Sequence, residues 1–206
     1  MRIEENGRAL LAADTLAGEI ATGTVQTVVS KPIHRSDVVL GKWLGFAGLL
    51  GLYVLLMSGG VTLAVRLLSG YRPPNLLAGT LLIYLESLLI LSLSLLCSSA
   101  FSALATGGVV FGMWGLAFIG GWVEQIGMAL NSPTAVNVGI VTSLLIPSEA
   151  LWRRAAYEMQ SPLMALTGFN PFGAMSVPSA AMIVYAVLYL LAAVALAART
   201  FSRRDL

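Results

Sequence analysis

The chain has 206 residues, 57% of them hydrophobic and only 11% charged, with a formal net charge of +2. A soluble domain is about a quarter charged, and a water-soluble fold of this composition would need a core too large for the length, which leaves lipid as the solvent. No run of Lys or Arg exceeds two residues, which excludes the clustered basic face that nucleic-acid binding requires.

The opening "MRIEENGRALLAAD" carries acids within its first five residues and a short apolar stretch, so it is not a signal peptide and insertion falls to internal spans. Next comes "GEIATGTVQTVVSKPIHRSDVVLGKW", Gly18 to Trp43. Leu16, Ile20, Thr24 and Val28 recur at i+4, with Val25 and Val29 beside them and Glu19, Thr22, Gln26 and Ser30 elsewhere on the wheel. This predicts an amphipathic helix over 17–30, weakened at Gly23 and stopped by Pro32, because the residue before proline avoids helical geometry. Ser36 then caps a helix that becomes the first span. A helix, a sharp turn and a second helix either present a short helix to a partner outside the bilayer or lie on lipid headgroups.

Four segments are long and apolar enough to cross: Leu44–Leu68, Leu76–Cys97, Phe101–Trp122 and Ala180–Ala198. Pro73 and Pro74 make a tight turn between the first two, and Ser98–Ser99 is a short link between the next two. Glu86 stands midway along the second span, where a carboxylate is costly and must face protein or water; it lines a path or makes a structural hydrogen bond. Gly41, Gly45 and Gly48, and Gly108 with Gly112, fall at helical spacing and suit close packing within the chain, or dimerisation.

The connection 123–178 is expected outside the cytoplasmic face. Its apolar run Val136–Ile146 is too short to span and reads as re-entrant or interfacial. In "PSEALWRRAAYEMQSP", Ser148 is the expected N-cap, Leu151, Ala155 and Met159 share a face, and Glu149–Arg153 and Arg154–Glu158 are expected i,i+4 pairs. This predicts an amphipathic helix on the membrane surface. Lys31, Arg35 and Lys42 before the first span, and Arg199, Arg203 and Arg204 after the fourth, assign that face to the cytoplasm. Arg66, Arg72, Arg153 and Arg154 fall on the other face. The fold class is all-α: one polytopic membrane helix bundle over 1–206.

The Gly18–Trp43 stretch resembles the signature of ABC type-2 transporter permeases, on Glu19, Gly23 with Thr24, Pro32, Arg35, and Gly41 with Lys42, and the terminal "FSRRDL" is similar to that family's tail. The subset it most resembles serves multicopper-enzyme maturation, including that of nitrous-oxide reductase. The resemblance implies that 17–36 is a cytoplasmic coupling segment docking on a separate ATP-binding subunit, with Glu19, Gly23, Thr24, Lys31, Pro32, Arg35 and Lys42 as docking residues. It also implies a homodimer of permeases. The reading adopted is an exporter in the inner membrane, with Glu86, from its depth in the second span, as the candidate for the translocation path. Lys31, Arg35 and Asp37 either pair with the ATP-binding subunit or only set topology. "WVEQIG" and the helix with Arg153 and Arg154 meet a periplasmic partner or form a lid. The family has six spans with the coupling segment between the second and third, and "ALLAADTLAG" looks like the tail of the second, so the expectation is an N-terminally shortened chain. A membrane anchor that recruits a soluble partner without transporting is the alternative.

The chain has no G-x-x-x-x-G-K-[ST] phosphate loop, and one His and one Cys supply no conventional metal site or Ser-His-Asp set. No enzyme activity, cofactor or metal is expected of it.

Overall fold

The computed structural model describes residues 35–160 and 177–202. These form six helices: α1 (Arg35–Ser69), α2 (Leu76–Ala100), α3 (Ala103–Ala129), α4 (Pro133–Leu145), α5 (Ser148–Met159) and α6 (Ala180–Ser202). There is no strand among the described residues. The chain is an all-α polytopic membrane protein. α1, α2, α3 and α6 are each long and apolar enough to cross a bilayer, while α4 and α5 form a pair bent by 103°.

Lipid explains what faces outward. Leu44, Leu49, Leu55, Leu56, Leu67 and Leu68 of α1 are each more than half exposed, as are Leu104 and Phe111 of α3 and Leu188 of α6. In water such continuous apolar surface would drive aggregation; against acyl chains it costs nothing.

The helix ends follow local chemistry. α1 stops at Gly70, whose φ of 68° suits glycine, and the Gly70 N–H donates to the Arg66 carbonyl at 3.0 Å. Pro73 and Pro74 prevent any continuation. α3 runs past Trp122 because Glu124 and Gln125, though polar, do not break a helix. Asn131 ends it in the left-handed region at φ 52°, with the Ser132 N–H on the Gly127 carbonyl at 2.8 Å and the Asn131 N–H on Met128 at 3.2 Å. The link between α2 and α3 is Phe101–Ser102. Ser98 and Ser99 lie buried inside α2, where their hydroxyls donate to the Leu95 and Leu96 carbonyls at 3.0 and 2.6 Å.

The described residues divide into two compact units. The first comprises 35–47, 90–113 and 188–202. Val39, Thr106, Ala197 and Phe201 are wholly buried within it, and the Trp43 indole donates to the Ser92 hydroxyl at 2.9 Å. The second comprises 48–89, 114–160 and 177–187. Ile146, Ala150, Leu151 and Ala155 are buried there, and α4 packs against α5.

In the second unit, close approach rests on glycines other than those the spacing singled out. A Cβ on Gly139 would meet the Glu124 Cβ, and would lie 2.8 Å from the Gly120 carbonyl oxygen and 2.9 Å from the Glu124 Cα. One on Gly120 would collide with Thr142, and one on Gly127 would lie 2.7 Å from the Ala135 Cβ. These contacts bring α4 onto α3 nearly backbone to backbone. Gly41, Gly45, Gly48, Gly108 and Gly112 have open space where a Cβ would stand. The expectation of packing within the chain at those five positions is therefore corrected for the described residues.

Gly139→Ala should destabilise the protein by about 1–3 kcal/mol, since the backbone atoms in its way cannot rotate aside. Gly60→Ala, in open space on α1, should be neutral or slightly stabilising. The midpoint of chemical unfolding in detergent, followed by circular dichroism, distinguishes the two.

Candidate functional site

The second unit gathers most of the ionisable groups that lie away from the helix ends. Glu86 comes from α2, Glu124 from the last turns of α3, and Glu149 and Arg153 from α5. α5 brings its two inward because Leu151 and Ala155 bury against the same unit, and the helical repeat places Glu149 and Arg153 one turn apart beside them.

Arg153 is at the centre. Its Nη2 donates to Glu124 Oε2 at 2.9 Å and to the Ser143 hydroxyl at 3.3 Å. The two charged side chains are only 4% and 8% exposed. Three helices meet through this one guanidinium. The sequence pairing of Glu149 with Arg153 is corrected: Arg153 reaches across to α3, because an inward-facing guanidinium meets Glu124 before it meets its own helix's carboxylate. Glu149 stays close enough for Arg153 and Glu124 to act on it electrostatically. Its side chain lies against Gly121, where a Cβ would stand 2.5 Å from the Glu149 Cγ. Glu86 in turn feels the Glu149 carboxylate. Carboxylates from three helices thus share one partly buried region with a single guanidinium, a place where charge is costly unless paired or hydrated. They do not converge as a metal-binding group among the described residues.

Arg153 also lines a cavity of about 300 Å³ with Glu124, Ser143, Pro178 and Ser179. Its Nε and Nη1 are buried without a protein partner among the described residues. The cavity has room for on the order of ten waters.

The outer end of α5 is fixed by other contacts. Arg154 pairs with Glu158 at 2.9 Å, as the i,i+4 spacing predicts, and its Nη1 donates to the Pro178 carbonyl at 3.1 Å. The Asn75 amide donates to Glu158 at 2.8 Å, and Met159 packs on Gly79. Tyr185 of α6 donates to the Leu144 carbonyl at 2.5 Å, satisfying one of the orphan carbonyls at the end of α4. Pro147, not Ser148, occupies the N-cap position of α5, and the Ser148 hydroxyl is buried. The expectation of a helix lying on the membrane surface is revised in one respect: the face carrying Arg153 is buried in protein.

The sequence-predicted docking residues stand elsewhere. Glu19, Gly23, Thr24, Lys31 and Pro32 lie outside the described residues. Arg35 begins α1, and Lys42 lies two turns further on, half-buried and held by an interaction of its own. Glu86 is half-buried and belongs to the carboxylate group described above. Sequence reasoning missed the Glu124–Arg153 pair. The available signal was a lone acid two residues beyond Trp122, just past the apolar part of α3.

The sequence matches the ABC-2 family transporter proteins over residues 9–206. The chain belongs to this family. It is also similar to the probable ABC transporter permease protein NosY of Stutzerimonas stutzeri, at 39% identity over 59 residues. That match covers 29% of the chain and 21% of the NosY protein, so the chain aligns with about a fifth of that relative's length. An ABC-2 transporter works with an ATP-binding partner in a membrane environment, and the apolar exposed helices described here agree with that setting.

Removing one partner of the buried pair leaves the other uncompensated. Arg153→Met should cost roughly 3–5 kcal/mol, and the double variant with Glu124→Met should recover much of that loss. A double-mutant cycle on unfolding midpoints tests the coupling; additive losses would mean the pair contributes no joint stabilisation.

Proposed function

We propose that the chain is the membrane-spanning subunit of an ATP-binding-cassette exporter, with ATP bound and hydrolysed by a separate cytoplasmic subunit. The family match carries the reading. α1 supports it physically. Its 35 residues run about 52 Å without a break, against the ~30 Å thickness of a hydrocarbon core. The surplus lies at the Arg35 end, where Asp37 and Lys42 sit before the uniformly apolar part. A force applied at that end is carried along one continuous helix into the membrane.

On this reading the docking residues are Glu19, Gly23, Thr24, Lys31, Pro32, Arg35 and Lys42. Nucleotide-driven motion of the ATP-binding subunit pushes on them, and α1 tilts. Two copies of the chain in the inner membrane enclose the path. Glu86 faces it, and the α4–α5 pair forms its far end, where a periplasmic partner docks. The chain itself does no covalent chemistry.

Charge reversal at Arg35 or Lys42, or Glu19→Lys, should weaken copurification with the ATP-binding subunit at least tenfold. Glu86→Gln should leave copurification intact and slow transport in proteoliposomes. Unchanged copurification of all three reversal variants would count against docking through this segment, and unchanged transport in Glu86→Gln would remove Glu86 from the path.

A further inference from the structure

A larger cavity, about 560 Å³, lies within the second unit between α1 and α2. Tyr53, Met57, Val61 and Val65 form one wall, Ile83 stands on the other, and Tyr71 closes the end beside the turn. The α1 wall from Tyr53 to Val65 covers twelve residue steps, about 18 Å of axis, roughly the depth of one leaflet. Dividing the volume by that length gives a mean section of roughly 30 Å², against roughly 80 Å² for a helix 10 Å across. A narrow groove of this kind suits a single extended chain. At ~30 Å³ per methylene, close to a water's share of liquid volume, the space holds a chain on the order of fifteen to twenty carbons.

Polar groups occur along the walls as well as at the turn: Tyr53, Ser58, Thr62 and Ser87 line the cavity, with Tyr71 at the turn end. The Ser58 and Ser87 hydroxyls are already committed, donating to the Val54 and Ile83 carbonyls at 2.7 and 2.9 Å. The Tyr71 hydroxyl is buried with no partner among the described residues, an uncommon state for a tyrosine. Arg66 and Arg72 flank the same turn, next in sequence to the lining residues Val65 and Tyr71. Both are exposed and neither makes an ion pair among the described residues. They also stand on the face that the charge rule leaves poor in basic residues.

We propose that this cavity holds one acyl chain of a bilayer phospholipid, with an ester carbonyl accepting the Tyr71 hydroxyl and the phosphate resting on Arg66 and Arg72. The apolar wall takes the chain, the buried donor takes the carbonyl, and the two cations take the anion. The site depends on the membrane setting alone, not on ATP coupling or export.

The test uses native mass spectrometry of the full chain in detergent micelles, delipidated and then titrated with palmitoyl-oleoyl phosphatidylglycerol. Wild type should retain one phospholipid per chain. Val61→Trp and Ile83→Trp, which fill the cavity from opposite walls, should each lower retention at least fivefold. Leu68→Trp, on an 89% exposed position outside the lining, should not. Arg66→Gln with Arg72→Gln should lower phosphatidylglycerol retention about fivefold while leaving the weaker retention of palmitoyl-oleoyl glycerol, which carries no charge, unchanged. No retained phospholipid in wild type, wild-type retention in both filling variants, or efficient disulfide formation between two Val61→Cys chains would each overturn the proposal.

Discussion

Lipid offers the peptide backbone no hydrogen bonds, and the rest of the structure is a response to that constraint. Every described segment long enough to cross is a continuous helix, so its N–H and C=O groups are satisfied internally. The departures from helix are few, and each is resolved locally. Gly70 and Asn131 accept left-handed geometry so that the carbonyls of the final turns find donors. At the bend between α4 and α5, the Ile146 N–H reaches the Thr142 carbonyl, the Leu151 N–H reaches Pro147, and Tyr185 supplies a donor for Leu144.

The same solvent decides how helices are held together. Leucine against lipid gains nothing over leucine against leucine, so association depends on close approach and on buried polar pairs. The second unit uses both in one place. Gly120, Gly127 and Gly139 let α4 lie against α3, and Arg153 joins Glu124 and Ser143 across the same contact. Gly121 makes room for Glu149 beside them. A charged cluster that would be a liability if loosely packed becomes a fixed feature. The same Arg153 guanidinium lines a cavity together with Glu124, Ser143 and Ser179.

The all-α architecture was legible in the sequence because length and lack of charge specify membrane helices with little dependence on tertiary context. The finer points were legible only where a local rule governs them. Pro73 and Pro74 announced the turn after α1, and the i,i+4 spacing of Arg154 and Glu158 announced their ion pair. The end of α3 was not legible from hydropathy, because Glu124 lowers the apolar signal without stopping a helix. Ser98 and Ser99 looked like a link because serine favours turns in water. Inside a membrane helix their hydroxyls bond back to the preceding turn. The Glu124–Arg153 pair joins residues 29 apart in sequence, and no local pattern prefers it to Glu149–Arg153. Likewise, spacing could not tell which glycines meet another backbone and which face open space.

The central claim is that α1 is a rod through the bilayer, with its Arg35 end on the side of the ATP-binding subunit and its Ser69 end on the other. The direct measurement is labelling of single cysteines by a membrane-impermeant thiol reagent in sealed vesicles of known orientation, in a Cys97→Ala background. Asp37→Cys should react only when the face bearing the ATP-binding subunit is accessible, and Arg72→Cys only from the opposite face. Reaction of both from the same face would contradict the account.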